Sequence, residues 1–502
     1  MRLLVFLSVI VFAFASLATA ADAPLLLTMK EAIRVGVEKN LDVRAELYNP
    51  AMYEADINRN KSIYDLLFTA QTAYTDATSR SAATIALGTY SQQSLEFNAA
   101  LSRLFWTGAL ATVNFNNAYL NNSVNGNLAT STTGLQNYWQ SSLGVTLSQP
   151  LLKNLGRQDT EININVSRLS KFASIEHFNT RLLNTVAQIR TEYFKLYSLR
   201  EELEVRKVSL ELARKILVET KAKVAAGVLP AMEILNAEFG AVSREKDLID
   251  AVKAVSNQVD VLRLLLQIEG KGDIRTVDIP TSTPFAVNEE EALRRAMSRP
   301  DIKEQKRNLE ISELQTRVFS DRLKPDLSLV ASTSLTGIDR EYQADLNKVT
   351  SFDAPVWSIG LNFSYPFGNN AAENDYRRSR LQSGQTALQI RSLEESAAND
   401  VKSAIRDVTS GYSQIDVADR QRAYAEERLK AYIRKNEVGL ATTKDVMDVE
   451  NDLVTAKNNQ IIALVTYDNA ITHLWLVTGE LLEREGVRMV EGDADKLYMG
   501  MH

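Results

Sequence analysis

The stretch "VGLATTKDVMDVEND" at residues 438–452 has the residues of a tight turn that opens a helix. A second stretch, "AGVLPAMEILNAEFG" at 226–240, follows nearly the same pattern. When the sequence is shifted against itself, Gly227 meets Gly439 and the acidic or amide positions after each turn also coincide. A turn-and-helix pattern that occurs twice at a constant offset indicates an internal duplication.

A second pair of matching segments supports the duplication. The segment "KEAIRVGVEKNLDV" at 30–43 resembles "EEALRRAMSRPDI" at 290–302, and both precede their turn in the same order. We therefore expect a first repeat at 21–286 and a second repeat at 287–485, followed by a C-terminal tail at 486–502. The first repeat holds about 44 extra residues between its opening helix and the segment "SQPLLKN" at 148–154.

The composition excludes several classes of function. The chain has 502 residues, 45% of them hydrophobic, and a formal net charge of −6. It has no cysteine, which excludes disulfides and thiolate chemistry, and its three histidines are too scattered to suggest a metal site. Because basic runs interleaved with aromatic residues are missing, no nucleic-acid partner is expected. The sequence shows no nucleophile–base pair and no phosphate-binding loop, so we expect neither an enzyme nor a cofactor.

The first twenty residues have the pattern of an export signal. The segment "MRLLVFLSVIVFAFASLATA" combines Arg2 with a long apolar run and ends in Ala18-Thr19-Ala20. We predict residues 1–20 as a cleaved signal peptide, with an uncleaved membrane anchor as the alternative. Beyond it there is no run of about 18 apolar residues. The exported chain then stays soluble, leaves the cell or enters a membrane as β-strands.

Segments of about ten residues alternate between apolar and polar residues. Such segments predict strands within 67–150 and 326–366. The alternation fits a half-buried strand of a soluble sandwich, or a membrane strand with one face on lipid and the other on a polar lumen. The clearest segment is "VWSIGLNFSYP" at 356–366. Its predicted lipid-facing residues are Trp357, Ile359, Leu361, Phe363 and Tyr365.

Aromatic residues near the predicted strand ends favour the membrane alternative. Outer-membrane barrels carry girdles of aromatic residues at both interfaces. The Ser, Asn, Thr and Gly on the other face of each strand also suit a water-filled lumen. The aromatic residues concerned are Tyr119, Tyr138, Trp139, Trp357 and Tyr365.

Six further segments carry a helical pattern. Residues 157–226 contain neither proline nor glycine, and residues 371–438 contain no proline. Each is predicted as one helix of roughly 100 Å, which is longer than a compact domain uses. The apolar spacing suits helices that pack side by side in a coiled-coil-like wall. Shorter helices are predicted at 29–64, 231–268, 288–322 and 443–480.

These features together resemble the TolC-like outer-membrane efflux proteins over nearly all of 25–485. The resemblance is carried by "LTMKEAIRVGVEKN" near the N-terminus, "LSQPLLKNLGR" at 147–157 and "VGLATTKDVMDVENDLVTAKNN" at 438–459. It implies an α+β membrane protein, a homotrimer with one β-barrel in the outer membrane that continues as a long α-helical barrel in the periplasm. It also implies a passive exit duct of a tripartite efflux or type I secretion system. The implied partners are a periplasmic adaptor protein, an inner-membrane pump and outer-membrane lipid.

The length of the first repeat departs from this family. Family members usually contribute four strands per protomer, whereas the extra residues here include a strand pair at 94–104 and 109–119. Six strands per protomer would widen the barrel. Alternatively, the extra hairpin packs outside the barrel or within the loops. The clean alternation of 109–119 favours strands that join the wall.

The resemblance places both turns at the periplasmic tips of two helical hairpins, where the adaptor protein docks. A glycine in a turn suits the left-handed conformation that ends a helix, and Thr442 or Thr443 suits the cap of the next helix. An ordinary helix–turn–helix without a partner has the same pattern. The expected adaptor-contacting residues are Val438, Gly439 and Leu440 in the second repeat and Gly227, Val228 and Leu229 in the first.

Acidic residues just after the turns form a candidate periplasmic constriction. Asp445 and Asp448 are three residues apart and share one helix face, and they match the pair of aspartates that rings the tunnel in this family. Glu233 has the corresponding position in the first repeat. A carboxylate ring in a narrow aqueous pore favours cations, although the same acids also stabilise a helix N-terminus. Family members often carry an arginine latch where this chain has Ala441, which leaves Lys444 as the alternative.

Two rival functions fit parts of the same sequence. Asp445, Asp448 and Glu450, with His473 further on, offer ligands for a divalent cation, but they lie on a regular helix without a calcium-binding loop. An exported trimeric coiled-coil structural protein or adhesin would also have long helices, but it requires strict heptads and has no duplicated strand pairs. The sequence therefore favours the passive duct.

Overall fold

The structure is a computed structural model of the chain. It describes residues 24–83, 86–125, 136–270, 272–487 and 492–500. The predicted signal peptide at 1–20 therefore lies outside the described residues.

The chain divides into two compact units. The first unit is mainly helical and combines the chain up to Asn49 with Ser174–Glu304 and Ile390–Lys496. The second unit contains the large sheet and combines Pro50–Ala173 with Gln305–Gln389 and the last residues of the chain.

The described chain has eight strands, and six of them form one antiparallel sheet. In the order β2-β3-β4-β5-β7-β8 they lie side by side, while β1 pairs in parallel with β6. The extra pair predicted at 94–104 and 109–119 corresponds to β3 and β4, and both are full members of this sheet. The strands are β1 (Leu25–Leu27), β2 (Leu67–Ala83), β3 (Ala86–Leu104), β4 (Leu110–Asn125), β5 (Asn137–Pro150), β6 (Ile274–Thr276), β7 (Asp326–Asp339) and β8 (Pro355–Ser364).

The strand register keeps apolar residues on one face of the sheet. Pairing advances one residue at a time along all five interfaces, so the two-residue side-chain period is never broken. Val113 lies opposite both Leu101 and Val145, and Val145 lies opposite Thr333, which in turn faces Trp357. The six strands therefore share one apolar face, and the predicted apolar row of β8 lies on it.

The helices differ in length by more than tenfold. The short ones are α1 (Met29–Lys39), α2 (Leu41–Glu46), α3 (Tyr48–Lys61), α4 (Arg157–Thr160), α7 (Glu289–Ala296), α8 (Pro300–Asp321), α9 (Tyr342–Thr350), α12 (Leu481–Arg484) and α13 (Gly492–Met499). The long ones are α5 (Ile162–Ala225), α6 (Met232–Leu266), α10 (Asn370–Glu437) and α11 (Thr443–Thr478).

The long helices make the duplication visible in the structure. Helices α5 and α10 contain 64 and 68 residues, and the helices that follow them, α6 and α11, contain 35 and 36. At 1.5 Å per residue, α5 alone is about 96 Å long. Each half of the chain has short helices, then strands, then one very long and one shorter helix, which is the order that the sequence repeats predict.

Three predicted helices are interrupted. The segment 157–226 forms α4 and α5, which are separated at Glu161. The segment 29–64 forms α1, α2 and α3 and ends in a 3₁₀ turn, because the side chain of Asn40 accepts hydrogen bonds from the N–H groups of Asp42 and Val43 and starts a new helix there. The segment 288–322 forms α7 and α8, divided just before Pro300, which has no N–H to continue the first helix. Helix α8 ends at Asp321, one residue before the predicted end at 322.

A buried tyrosine and a buried arginine hold the helical unit together. The Tyr193 hydroxyl on α5 donates to the carbonyl of Leu27 at 2.8 Å and accepts from the N–H of Val277 at 3.0 Å, and burial raises its pKa to about 12. Arg190, one turn earlier, donates to Asp468 at 3.0 Å and to Thr472 at 2.8 Å on α11. Burial raises the pKa of Asp468, although Arg190 opposes the shift. The tyrosine contacts lie within the first repeat, whereas the Arg190 contacts join the two repeats.

Helix α11 is apolar and long enough to cross a membrane by length and composition alone. Half of its most apolar stretch is nevertheless buried inside the protein. Tyr467, Ile471 and Leu474 pack in a core cluster with Val401 and Val408 of α10. We therefore interpret α11 as a core helix of its unit.

One short helix was not anticipated from the sequence. Helix α9 lies against β5 and β7 on the apolar face of the sheet. Its Asp345 is fully buried and accepts a hydrogen bond from the Ser141 hydroxyl. Gly337 lies so close to Asp345 that a Cβ there would collide with it. The helix therefore covers one part of a face that is elsewhere exposed.

Candidate functional site

The turn at Gly439 closes helix α10 with two backbone hydrogen bonds. The N–H of Leu440 donates to the carbonyl of Lys435 at 2.8 Å, and the N–H of Gly439 donates to that of Asn436 at 3.2 Å. This pair of bonds defines a Schellman motif. Gly439 has a φ of +75°, the left-handed conformation that glycine adopts without steric cost.

The turn at Gly227 has the same geometry. The N–H of Val228 donates to the carbonyl of Lys223 at 2.9 Å, the N–H of Gly227 donates to that of Val224 at 2.9 Å, and Gly227 has a φ of +74°. A Cβ at either glycine would meet no atom within 4 Å. The two repeats therefore present two matching, open turns.

Both turns expose apolar side chains. In a Schellman motif the residue after the glycine usually packs back on its own helix. Here the residues at that position, Val228 and Leu440, are 70% and 78% exposed, and Val438 is 69% exposed. Leu229 is half-buried. Exposed apolar side chains at a turn are typical of a binding surface.

Helix α11 starts with a capping box. The N–H of Asp445 donates to the Thr442 hydroxyl at 3.1 Å, while the Asp445 carboxylate accepts from the N–H and the hydroxyl of Thr442, each at 2.8 Å. Thr442, rather than Thr443, is thus the N-cap. The same two donors, the N–H first, hold the pKa of the Asp445 carboxyl below its ordinary value.

The three candidate constriction acids have different surroundings. The Asp445 carboxylate accepts hydrogen bonds from Thr442 in the helix cap. Asp448, one turn further along α11, is exposed. Glu233 is half-buried near the start of α6, where Ala231 provides no side-chain cap. Only Asn236 donates to it among the hydrogen bonds of the described chain, at 3.5 Å. Glu233 and Asp445 therefore have corresponding positions in the two repeats, but only Asp445 takes part in a capping box.

A lysine, and not an arginine, joins the two turns. The Lys223 ammonium group donates to the side-chain oxygen of Asn436 at 3.2 Å and to its carbonyl at 3.4 Å. The Asn436 amide donates in turn to the carbonyl of Ala441 at 3.0 Å. Lys444, the substitute considered from the sequence, is exposed. No local pattern marks Lys223, because its partner is on a helix of the other repeat.

A second link between the repeats lies further from the turns. Arg244 on α6 donates to the Glu450 carboxylate on α11 at 2.9 Å and 3.2 Å, and to the carbonyl of Met447 at 3.1 Å. The Ser209 hydroxyl on α5 donates to the same carboxylate, which is buried. Glu450 is therefore an ion-pair partner and not a free metal ligand. Within the described part of the chain, no group of three possible ligands could hold a metal ion.

The apolar face of the sheet is exposed over most of its width. Trp357, Ile359, Leu361 and Phe363 of β8 are each more than 60% exposed, and so is Phe68 of β2 at the other edge. The opposite face is lined mainly by Ser, Thr, Asn and Gln side chains. An extended surface of this kind is far larger than the apolar patches of soluble monomers.

Aromatic residues lie at the loop end of this face. Trp139 stacks between Tyr119 and Tyr342, with ring centroids 5.0 Å and 4.8 Å apart. Tyr138, its neighbour in sequence, is on the polar face, because adjacent residues of a strand point to opposite sides. Trp357 is level with Val113 near the start of β4, and therefore away from Tyr119 and Trp139. Of the five aromatic residues expected in the girdle, Tyr119 and Trp139 lie together at this end of the apolar face, and the girdle itself stays a prediction.

The comparisons with known proteins agree with this architecture. The family model for the outer membrane efflux protein matches residues 293–480. The outer membrane efflux protein BepC of Brucella suis is 23% identical over 335 residues, which cover 66% of this chain and 69% of BepC. The outer membrane protein TolC of Escherichia coli is 23% identical over 309 residues, which cover 59% of this chain and 60% of TolC.

Solved structures show the same fold. The structure of CusC aligns with a TM-score of 0.68 at 14% identity and covers 91% of this chain and 93% of its own. The outer membrane channel CmeC of Campylobacter jejuni aligns with a TM-score of 0.65 at 15% identity and covers 94% of this chain and 89% of its own.

A sheet with one exposed apolar face and one polar face, joined to helices of about 100 Å, defines a β-barrel channel of the outer membrane rather than an enzyme. The chain is similar to outer membrane efflux channels of the TolC type, in sequence over residues 293–480, where the family model matches, and in fold over most of its length.

Proposed function

We propose that three copies of the chain form a passive exit duct of a tripartite efflux or type I secretion system. After removal of the signal peptide, the sheets lie in the outer membrane and the long helices extend into the periplasm. An inner-membrane pump supplies the energy, and a periplasmic adaptor protein connects the pump to the duct. The observation that carries this proposal is the pair of matching turns with exposed Val228 and Leu440.

The adaptor docks at these two turns. Its contact residues are Val438, Gly439 and Leu440 in one repeat and Gly227, Val228 and Leu229 in the other. Apolar side chains held by a rigid Schellman motif lose little entropy on binding, which favours association. Two equivalent turns per chain give an adaptor ring six similar positions around a trimer, since each repeat presents one.

The acids just past the turns form the constriction of the duct. Asp448 faces the pore most directly, while Asp445 and Glu233 add negative charge behind it. Three copies bring these carboxylates around one narrow aqueous passage, which attracts cations and resists anions. Their local roles at the helix starts are compatible with this function, because a carboxylate that caps a helix keeps its charge.

The apolar sheet face contacts the lipid of the outer membrane. Trp357, Ile359, Leu361 and Phe363 are its most exposed members in β8, and Tyr365 follows directly after the strand. The coiled-coil adhesin alternative leaves this exposed face unexplained, because a fibre in water has no lipid to cover it.

The test is crosslinking in living cells. A photo-crosslinking residue at Leu440 should capture the adaptor protein, and the same residue at Leu388 should not. Leu388 is a suitable control because it is equally apolar and exposed on α10, but about 75 Å along the helix from the turn. Capture from Leu388 alone, or from neither position while export continues, would contradict the proposed docking site.

A further inference from the structure

The two edge strands of the sheet are unprotected. Strand β8 is exposed along all ten residues and contains no charged residue. Its one proline, Pro355, is its first residue, where it does not block the rest of the edge. Strand β2 is likewise uncharged from Leu67 to Thr75. Soluble proteins protect such edges with charges, bulges or prolines, so another strand must cover these two.

The geometry of the sheet determines which strand that is. Because all neighbours are antiparallel and six is an even number, β2 and β8 run in opposite directions. A β8 strand can therefore pair with the β2 strand of a second copy in the same antiparallel manner as every pair inside the sheet. The apolar face then continues without interruption across the junction, since both edges present apolar residues on the same side.

We propose that three copies close one eighteen-stranded barrel through seams between β8 of one copy and β2 of the next. This inference rests on the proposed trimer, and it adds the strand number and the residues of the seam. Closure gives both edge strands a backbone partner, as strands in lipid require.

The strand number determines the width of the lumen. With a strand spacing of about 4.8 Å and a tilt of about 40°, eighteen strands separate opposite backbones by about 36 Å, against about 24 Å for twelve. Barrels of 16 to 18 strands leave an aqueous channel. The membrane part of this duct is thus wide enough to pass bulky cargo without limiting its size.

The lumen face is polar and nearly uncharged. Among its described positions, the charged residues are Glu96 in the middle of β3 and Asp326 at the start of β7. Pairs of polar residues on this face bond across strands, as Asn116 does with Ser142 at 3.3 Å and Ser332 with Ser358 at 2.8 Å. Such a lining discriminates little by charge, so selection takes place at the acidic constriction and not in the barrel.

The alternative is a twelve-stranded barrel in which β4 and β8 form the seam and the β2–β3 hairpin lies elsewhere. In that barrel, β4 would no longer pair with β3 and would pair with β8 of another copy instead. Strand β4 is paired with β3 from Asn125 back to Leu110, along its whole length. The structure therefore favours the seam at β2.

Cysteine pairs distinguish the two seams, and the chain has no cysteine of its own to interfere. Ser358→Cys in β8 is combined in separate variants with Thr69→Cys, Gln71→Cys or Ala73→Cys in β2, all of which lie on the lumen face. The matched control combines Ser358→Cys with Thr112→Cys in β4. After oxidation in the membrane, the variants are separated under denaturing conditions with and without reductant.

We expect at least one cysteine pair between β8 and β2 to give covalent dimers and trimers, which reductant converts back to monomers. The pair between β8 and β4 should give none. Crosslinking of the β4 pair, or trimers that form while no β2 pair crosslinks, would overturn the eighteen-stranded barrel and leave the proposed duct intact. Failure of every variant and of the unmodified protein to form trimers would overturn the proposed function as well. An electron cryomicroscopy cross-section with twelve strands would also refute this inference.

Discussion

Thr442 and Asp445 bond to each other in both directions: the Asp445 carboxylate accepts from the N–H and the hydroxyl of Thr442 at 2.8 Å, and the N–H of Asp445 donates back to that hydroxyl at 3.1 Å. Asp448, on the same face of α11, is exposed instead. The two aspartates that a sequence pattern treats as one pair therefore have separable roles, one in the fold of the turn and one towards solvent.

Asp448→Asn should weaken the block of the channel by trivalent cations in planar bilayers, and Asp445→Ala combined with Asp448→Ala should weaken it further and raise conductance. Removal of carboxylates from a pore reduces its attraction for cations. Thr442→Ala is the control, because it removes the cap, at a cost of about 1 kcal/mol, without removing a charge. Unchanged block in the double variant would contradict the acidic constriction.

The part of the block that depends on Asp445 should persist in acid. The N–H of Thr442 and then its hydroxyl hold the pKa of Asp445 below its ordinary value of 3.8. A carboxyl with a lowered pKa stabilises the folded turn fully above the ordinary pKa and loses that effect as the pH falls through the lower value. In a variant that combines Asp448→Asn with Glu233→Gln, Asp445 is the last of the three constriction acids, and its block should decline only below pH 3.8. A midpoint above that pH would show that the cap does not form in the assembled channel.

Gly439→Trp should abolish export while trimers still reach the outer membrane. No atom of the chain lies near Gly439, so the tryptophan ring fits there. A non-glycine residue at a φ of +75° costs about 1–2 kcal/mol. The ring would also cover the proposed docking surface. Export is measured as drug or cargo release, and trimers as heat-modifiable migration. Gly384→Trp, also in open space but distant from the turn in sequence, should export normally. Normal export by the Gly439 variant would remove the turn from the docking site.

Arg244→Met should loosen the connection between the two repeats near the turns. It leaves the buried Glu450 carboxylate without its cation, and breaking a buried pair typically costs about 3–5 kcal/mol. We expect higher conductance and easier proteolysis of the helical unit. The matched variant Arg244→Met with Glu450→Met should recover much of the loss, because no buried charge remains. Equal damage in the single and double variants would mean that the ion pair is not the source of the effect.

Leu361→Arg or Phe363→Arg should impair assembly of the barrel, whereas Asn362→Asp should be tolerated. A charged side chain on the lipid face costs about 2–4 kcal/mol near the membrane midplane, while lumen positions accept charge. The readout is the fraction of heat-modifiable trimer in isolated outer membranes. Equal tolerance at all three neighbouring positions would show that the faces of β8 are assigned incorrectly.

The periodic elements could be derived from the sequence because their signals are local. The alternation around Leu361, the proline-free run of α10 and the glycine that ends it each depend on residues close together in the chain. Breaks within a run were harder to see. Asn40 divides a predicted helix because its side chain competes with the backbone for N–H groups, and such competition leaves the apolar spacing unchanged.

The partners of the buried charges could not be derived in this way. Arg244 reaches Glu450, and Arg190 reaches Asp468, across more than two hundred residues of chain. Neither pair has a spacing or a motif that marks it. Helix α9 is similar, since nothing in its nine residues indicates that Asp345 will be buried against Ser141.

The sequence by itself determined the duplication, the faces of the strands, the long helices and the two glycine turns, because each follows from a repeat or a periodicity along the chain. Only the tertiary structure decided that six strands join one sheet, that Lys223 and Arg244 connect the repeats, and that Asp445 and Asp448 differ. The reason is physical: backbone conformation responds to neighbours in sequence, whereas the pairing of edges and charges depends on which segments are brought together in space.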